Sequence, residues 1–170
     1  MNNELTSDYI IMARNLQSVT KHYQAILDVL NENTVLSGSI VLKTILGESW
    51  GSGDIDIFTT DKNLTKLSIG KWSENNTERY PFLKGIYQIY RGDLGNCTVD
   101  IIQVHSIKDC MEKYFDFDFC KCYFDGKQFC IMNPHSVLNK EMQVHPSFME
   151  NNKNTERIMK YLRRGFKIYI

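Results

Sequence analysis

In the stretch GSGDIDIFTT, Gly51 to Thr60, two aspartates stand two residues apart inside an apolar run. Asp54 and Asp56 alternate with Ile55 and Ile57, and Phe58 follows. Alternation with branched and aromatic neighbours predicts a strand over Asp54 to Thr60. In a strand, residues i and i+2 point the same way, so both carboxylates share one face. Like charges at that spacing repel unless a positive group lies between them. The chain must therefore fold so that this face meets a cation or water, because an uncompensated charge is too costly to bury.

The residues just upstream narrow the choice. Thr34-Val-Leu-Ser37 predicts a short strand, and a helix over Ile40 to Gly47 follows Gly38-Ser39. Glu48 to Gly53 is a Gly/Ser loop that returns the chain to the aspartates. Gly38 has no Cβ, so its backbone can come close to a ligand. A helix start offers N–H groups and a positive dipole end, which suit a phosphate. Ser39 adds a hydroxyl there, and Lys43 lies one turn further on. A phosphate seat beside paired carboxylates is the equipment for magnesium-assisted chemistry on a nucleoside triphosphate, since Mg²⁺ takes oxygen ligands and keeps positions for water and phosphates.

The remaining pattern fills out one domain. Met12, Leu16, Val19, Tyr23, Ile26 and Leu30 form one apolar stripe, which predicts a helix over 7–31 with Ser7 as N-cap. A helix is expected over 61–71 and a polar connection over 73–80. Phe82 to Arg91 and Cys97 to His105 read as strands joined by the turn Asp93-Leu-Gly-Asn96. A short helix near 107–114 precedes a strand from Tyr114 to Phe124, the turn Asp125-Gly126, and a returning strand from Gln128 to Met132. Helices are expected over 134–142, starting at Pro134, and over Thr155 to Arg164, stopped by Gly165. The whole reads as a single α+β (α/β-like) domain over 1–170, a mixed central sheet flanked by helices, with residues 134–170 as a C-terminal helical extension.

Composition bounds the function. Lysine plus arginine equals aspartate plus glutamate at 20 each, so any electrostatic site must come from local clustering. No apolar run approaches the roughly 18 residues of a membrane span, and MNNELTSDYIIMARN lacks a secretory pattern. The five cysteines form no CxxC pair and read as reduced thiols. These features place the chain inside the cell, in the cytoplasm. The four histidines show no metal-ligand spacing.

The unit from Val35 to Thr60 resembles the signature of the DNA polymerase β-like nucleotidyltransferase superfamily. Gly38 and Ser39 match its Gly-Ser element, and Asp54-Ile55-Asp56-Ile57 matches its Asp-apolar-Asp-apolar element. The spacer Ile40 to Gly53 stands at the long end of the usual range. The resemblance implies the nucleotidyltransferase fold. It also implies transfer of NMP from an NTP to a hydroxyl of RNA, protein or a small molecule, with release of pyrophosphate. Asp54 and Asp56 would hold Mg²⁺ (Mn²⁺ in its place), and Gly38 and Ser39 would hold the phosphates; the spacing of Lys43 from Ser39 makes it either a further phosphate contact or a solvated surface lysine. A second resemblance, of FDFDFCKCYFDGK to predicted nucleotidyltransferase-fold proteins of large DNA viruses, implies a viral protein in the host cytoplasm.

The superfamily uses a third carboxylate on a later strand, as a metal ligand and proton acceptor. Asp100, in the apolar run Cys97 to Val104, is the choice here; Asp116 and Asp118 are the competitors. Arg157, Lys160 and Arg164 share a helix face that offers a phosphate-tracking strip for RNA or a solvated surface. Trp50 is assigned to the core rather than to base stacking. A small superfamily member also needs a grip on its acceptor, which a partner chain would supply. The competing reading is a nucleotide- or RNA-binding module of the same fold without transfer.

Overall fold

The computed structural model describes residues 5–51, 53–75 and 85–170. The expected polar connection over 76–80 and the strand start at Phe82 to Lys84 lie outside the described residues.

The N-terminal apolar stripe forms two helices rather than one. Helix α1, Ser7–Val19, is capped by Thr6, whose hydroxyl accepts from the Tyr9 N–H at 3.1 Å. It stops at Thr20, which takes an extended conformation (φ −147°). The buried Thr20 hydroxyl accepts from the His22 N–H, so a side chain replaces the helical ladder there. Helix α2, Tyr23–Leu27, then continues the stripe. Met12, Leu16 and Ile26 are fully buried, as the pattern requires.

Strand β1 (Thr34–Ser37), helix α3 (Ser39–Leu46) and strand β2 (Ile55–Thr59) follow in the expected order. The segment 61–71 is not helical. The Gln103 amide donates to the carbonyls of Lys62 and Leu64, both at 3.0 Å, and so claims acceptors that a helix would use. Lys71–Asn75 instead forms β3, an edge strand the sequence reading missed. Strands β4 (Ile86–Asp93) and β5 (Thr98–Val104) make the expected hairpin. The short helix α4 (Ile107–Asp109) runs into one π-helical turn, Cys110–Tyr114.

The expected strand over Tyr114 to Phe124 is mostly not a strand. Asp118–Cys120 winds into a 3₁₀ turn, which brings Asp118 and Lys121 together at 3.0 Å. Only Cys122–Phe124 pairs, as β6, with β7 (Phe129–Ile131). Helix α5 (Pro134–Asn139) is capped by Asn133. The last elements are β8 (Glu141–Gln143), helix α6 (Asn152–Arg163) and β9 (Lys167–Tyr169). The C-terminal segment is therefore not purely helical, because β8 and β9 form a parallel two-stranded sheet of their own.

The main sheet has the order β3-β4-β5-β2-β1-β6-β7, and within it only β2 and β5 run parallel. On one face Leu36, Ile55, Ile57, Val99 and Ile101 pack with α1, α3 and the C-terminal segment. On the other, Val35, Phe58, Ile89, Ile102 and Val104 pack with Ile107, Cys110 and Met111. Phe119 joins the C-terminal segment to the first core: its ring stacks on Phe166 at 4.3 Å and meets Tyr161 edge-on at 4.8 Å.

Truncating Phe119 to alanine should cost about 3–5 kcal/mol. Urea unfolding followed by far-ultraviolet dichroism and by tryptophan fluorescence should show one coincident transition. A separate early transition of the C-terminal segment would contradict the shared core.

Candidate functional site

The site begins at Gly38. Its backbone (φ +83°, ψ −164°) is one that L side chains rarely adopt. A Cβ there would stand 2.8 Å from Asp56 Oδ2. The glycine thus lets β1 turn into α3 directly against the Asp56 carboxylate. Ser39 opens the helix, where the first N–H groups have no intrahelical partner. Gly53 brings the return loop close to Ser39, its Cβ position lying 3.4 Å from Ser39 Oγ.

Strand register places the acids. Asp56 pairs across β1·β2 with Ser37 and across β2·β5 with Asp100. Arg91 pairs with Asp100 across the β4·β5 hairpin. Arg91, Asp100, Asp56 and Ser37 therefore form one transverse row on one face of the sheet. Asp54 stands two residues before Asp56, just ahead of β2.

Arg91 is the residue that sequence reasoning missed. Its Nε donates to Asp100 Oδ1 at 2.8 Å and its Nη2 to Asp100 Oδ2 at 3.0 Å, a bidentate fork. The same Nη2 donates to Asp54 Oδ2 at 3.2 Å. Asp100 is fully buried, whereas Arg91 and Asp54 each keep about a third of the side chain exposed. The Asp100 hydrogen bonds hold the guanidinium still more firmly protonated than usual, against the opposing effect of burial. The turn Asp93 to Asn96 carried the signal: a hairpin closed there sets Arg91 opposite Asp100.

A cleft of about 620 Å³ opens at this end of the sheet. One wall carries Gly38, Ser39, Asp54 and Asp56. The facing wall carries Lys153, Arg157 and Lys160 of α6. Phe58 and Phe115, whose centroids lie 5.5 Å apart, line it as well. The volume falls within the range of small-molecule sites. Burial lowers the pKa of the Lys160 ammonium, and the Arg164 and Arg157 charges lower it further. Asp116 reaches the cleft as well, bound to Arg157. Asp118 pairs with Lys121 instead.

Two expectations change. Lys43 does not line the cleft. It is buried, its Nζ lies 3.5 Å from the Trp50 carbonyl, and its pKa is lowered by burial and then by Arg164. The basic strip of α6 also divides. Arg157 and Lys160 face the carboxylates, whereas Arg164 lies over the Trp50 ring at 4.6 Å. Trp50 itself packs against Tyr161 and Phe166, as a core residue.

Asp54 and Asp56 fit a hard divalent cation. Such an ion needs one or two carboxylates and completes its shell with water and phosphate oxygens. The missing Gly38 Cβ leaves the Asp56 carboxylate room at the cleft wall. Among the described residues no three histidine, cysteine, aspartate or glutamate side chains are grouped so that they could hold an ion.

An α+β domain that follows a Gly-Ser helix start with an Asp-x-Asp strand, in a mixed sheet flanked by helices, has the nucleotidyltransferase fold. Solved structures share it at low sequence identity. The chain superposes on a CCA-adding enzyme in complex with CTP at a TM-score of 0.64 and 16% identity, over 96% of this chain and 43% of that one. For the Thermotoga maritima CCA-adding enzyme complexed with tRNA the TM-score is 0.65 at 16% identity, over 98% and 43%. A tRNA-processing enzyme in an apo form gives 0.53 at 15% identity, over 97% and 45%. The chain thus spans less than half the length of these enzymes. No family model matches the chain, and no curated protein matches its sequence. Among the described residues no helix is long and apolar enough to cross a membrane.

Gly38→Ala should destabilise the protein by about 1–3 kcal/mol in urea unfolding. Gly47→Ala is the control, because Gly47 is also left-handed (φ +66°) but a Cβ there would meet nothing within 4 Å. An equal loss for both variants would show that the approach of Asp56 is not what Gly38 serves.

Proposed function

We propose that the protein is a metal-dependent nucleotidyltransferase, which moves NMP from an NTP to an acceptor hydroxyl and releases pyrophosphate. The observation that carries this reading is the two-sided cleft, with Asp54 and Asp56 beside the Gly38-Ser39 helix start on one wall and Lys153, Arg157 and Lys160 on the other. A nucleoside triphosphate with its divalent cation carries the complementary charges.

Asp54 and Asp56 would hold Mg²⁺ or Mn²⁺, which would supply charge stabilisation for the attacking and leaving oxygens of an in-line displacement. Ser39 and the first N–H groups of α3 bind the β- and γ-phosphates. Lys160 and Arg157 balance the charge that grows on the pyrophosphate as it leaves. The acceptor oxygen bonds to the α-phosphorus, the bond to pyrophosphate breaks, and the hydroxyl proton passes to water. Phe58 and Phe115 offer an apolar surface to the base.

RNA is the acceptor class best supported, because a solved structure of the same fold is complexed with tRNA. A partner chain supplies the grip on the acceptor. The free thiols suit a reducing compartment, so the reaction belongs in the cytoplasm, the host's if the likeness of Phe115 to Lys127 to viral proteins reflects the source. One observation favours a second reading, a nucleotide-binding module without transfer: Asp100 gives both carboxylate oxygens to Arg91 and does not line the cleft.

Incubation with Mg²⁺ or Mn²⁺, each labelled NTP, and pools of RNA and protein should label an acceptor. The double variant Asp54→Ala/Asp56→Ala should lose this labelling and remain folded. Labelling that persists in the purified double variant would overturn the mechanism. Metal-dependent NTP binding without any labelled product would favour the binding module. Lys160→Met should weaken NTP binding about tenfold or more, as expected for loss of a charge-assisted contact. Unchanged affinity in a fluorescent-NTP titration would remove Lys160 from the phosphate wall.

A further inference from the structure

The Arg91 fork has a consequence for how many ions the site can take. A third carboxylate stands in register beside Asp56, yet both of its oxygens accept from one guanidinium. Asp100 is also fully buried and is not part of the cleft wall. The Arg91 Nη2 reaches past it to Asp54. The positive charge among these acids is thus a covalent part of the chain. A bidentate arginine fork is a rigid arrangement that a hydrated divalent ion does not readily displace.

We infer that Arg91 is a positioning residue that acts as an internal cation. It neutralises Asp100, orients Asp54 for the ligand at the cleft, and restricts divalent-ion binding to Asp54 and Asp56. Asp100 then serves as the anchor of Arg91, not as a metal ligand. The inference rests on the reading of Asp54 and Asp56 as a metal site.

Two physical effects make it testable. Arg91 repels any cation that approaches Asp54, and it keeps Asp100 from offering oxygens. Losing its charge should therefore strengthen ion binding, while removing both charges of the Arg91–Asp100 pair together should leave ion binding almost unchanged. A merely structural role for the pair would move stability and leave ion affinity alone.

The test is titration of the nucleotide-free protein with Mn²⁺, read by the paramagnetic resonance signal of the free ion, with thermal melting in parallel. Arg91→Met/Asp100→Asn, which removes both charges of the pair, should hold the Mn²⁺ dissociation constant within about threefold of wild type. Arg91→Met should tighten Mn²⁺ binding about tenfold or add a second bound ion. Arg91→Lys, which keeps the charge and loses the fork, should stay near wild type. A tenfold or greater loss in Arg91→Met/Asp100→Asn would make Asp100 a ligand and overturn the inference. Unchanged Mn²⁺ binding in a folded Arg91→Met protein would also overturn it. Should Arg91→Met fail to fold, the double variant, which leaves no unpaired charge, decides alone. Absence of Mn²⁺ binding in wild type, Arg91→Met and Asp56→Asn alike would overturn the metal site itself. Binding in wild type that is lost in Asp56→Asn upholds that site whatever the Arg91 variants show.

Discussion

Asp56 and Asp100 lie side by side on parallel strands in the middle of the sheet, and their mutual repulsion has to be met for the sheet to close there. Neighbouring strands run about 4.8 Å apart, close enough for the half-buried Asp56 carboxylate and the fully buried Asp100 carboxylate to oppose pairing. The guanidinium of Arg91 is the group the sheet sets against that repulsion, and its fork fills both Asp100 oxygens. The two apolar cores on either face of the sheet then close around a row in which the buried Asp100 charge is matched from within. Removing one partner of such a buried pair is far more costly than removing both.

With the sheet closed, chemistry is left to its open end. Gly38 brings a helix start against Asp56, and Gly53 returns the loop to Ser39. The opposite wall comes from α6, which is tied to the rest of the chain by Tyr161 beneath and by the parallel β8·β9 pair at its ends. Lys140 fastens this arrangement: its Nζ donates to Glu48 Oε1 at 2.6 Å and to the Arg164 carbonyl at 3.1 Å. The loop that delivers the aspartates and the helix that delivers the cations are thus held to each other outside the cleft.

What could be read in the sequence was local. Gly38, Ser39, Asp54 and Asp56 stand within one strand–helix–strand unit, and spacing alone set them together. Asp100 was readable as a charged residue in an apolar strand, and register put it where that reading expected. Its partner was not identified, although the hairpin turn at Asp93 to Asn96 held the information. The role of α6 was beyond reach, because periodicity shows which residues share a face and not what the face looks at. The same limit misplaced Lys43, whose spacing from Ser39 is right for the cleft but whose ammonium is drawn to the Trp50 carbonyl. Helix 61–71 failed for a different reason: a glutamine from β5 took the carbonyls that local propensity had reserved for a helix.

The β4–β5 hairpin also bears on the entropy of assembling the site. Closing a short turn to bring Arg91 onto Asp100 spans nine residues of chain, and the entropic cost of loop closure grows with the length enclosed. Setting Asp56 beside Asp100 encloses a much longer stretch. The compensating charge is thus available at the smaller cost, within a unit that needs no distant strand. When β2 docks alongside, it meets an aspartate whose charge is already matched, so the least favourable electrostatic encounter in the sheet is met by its most local contact.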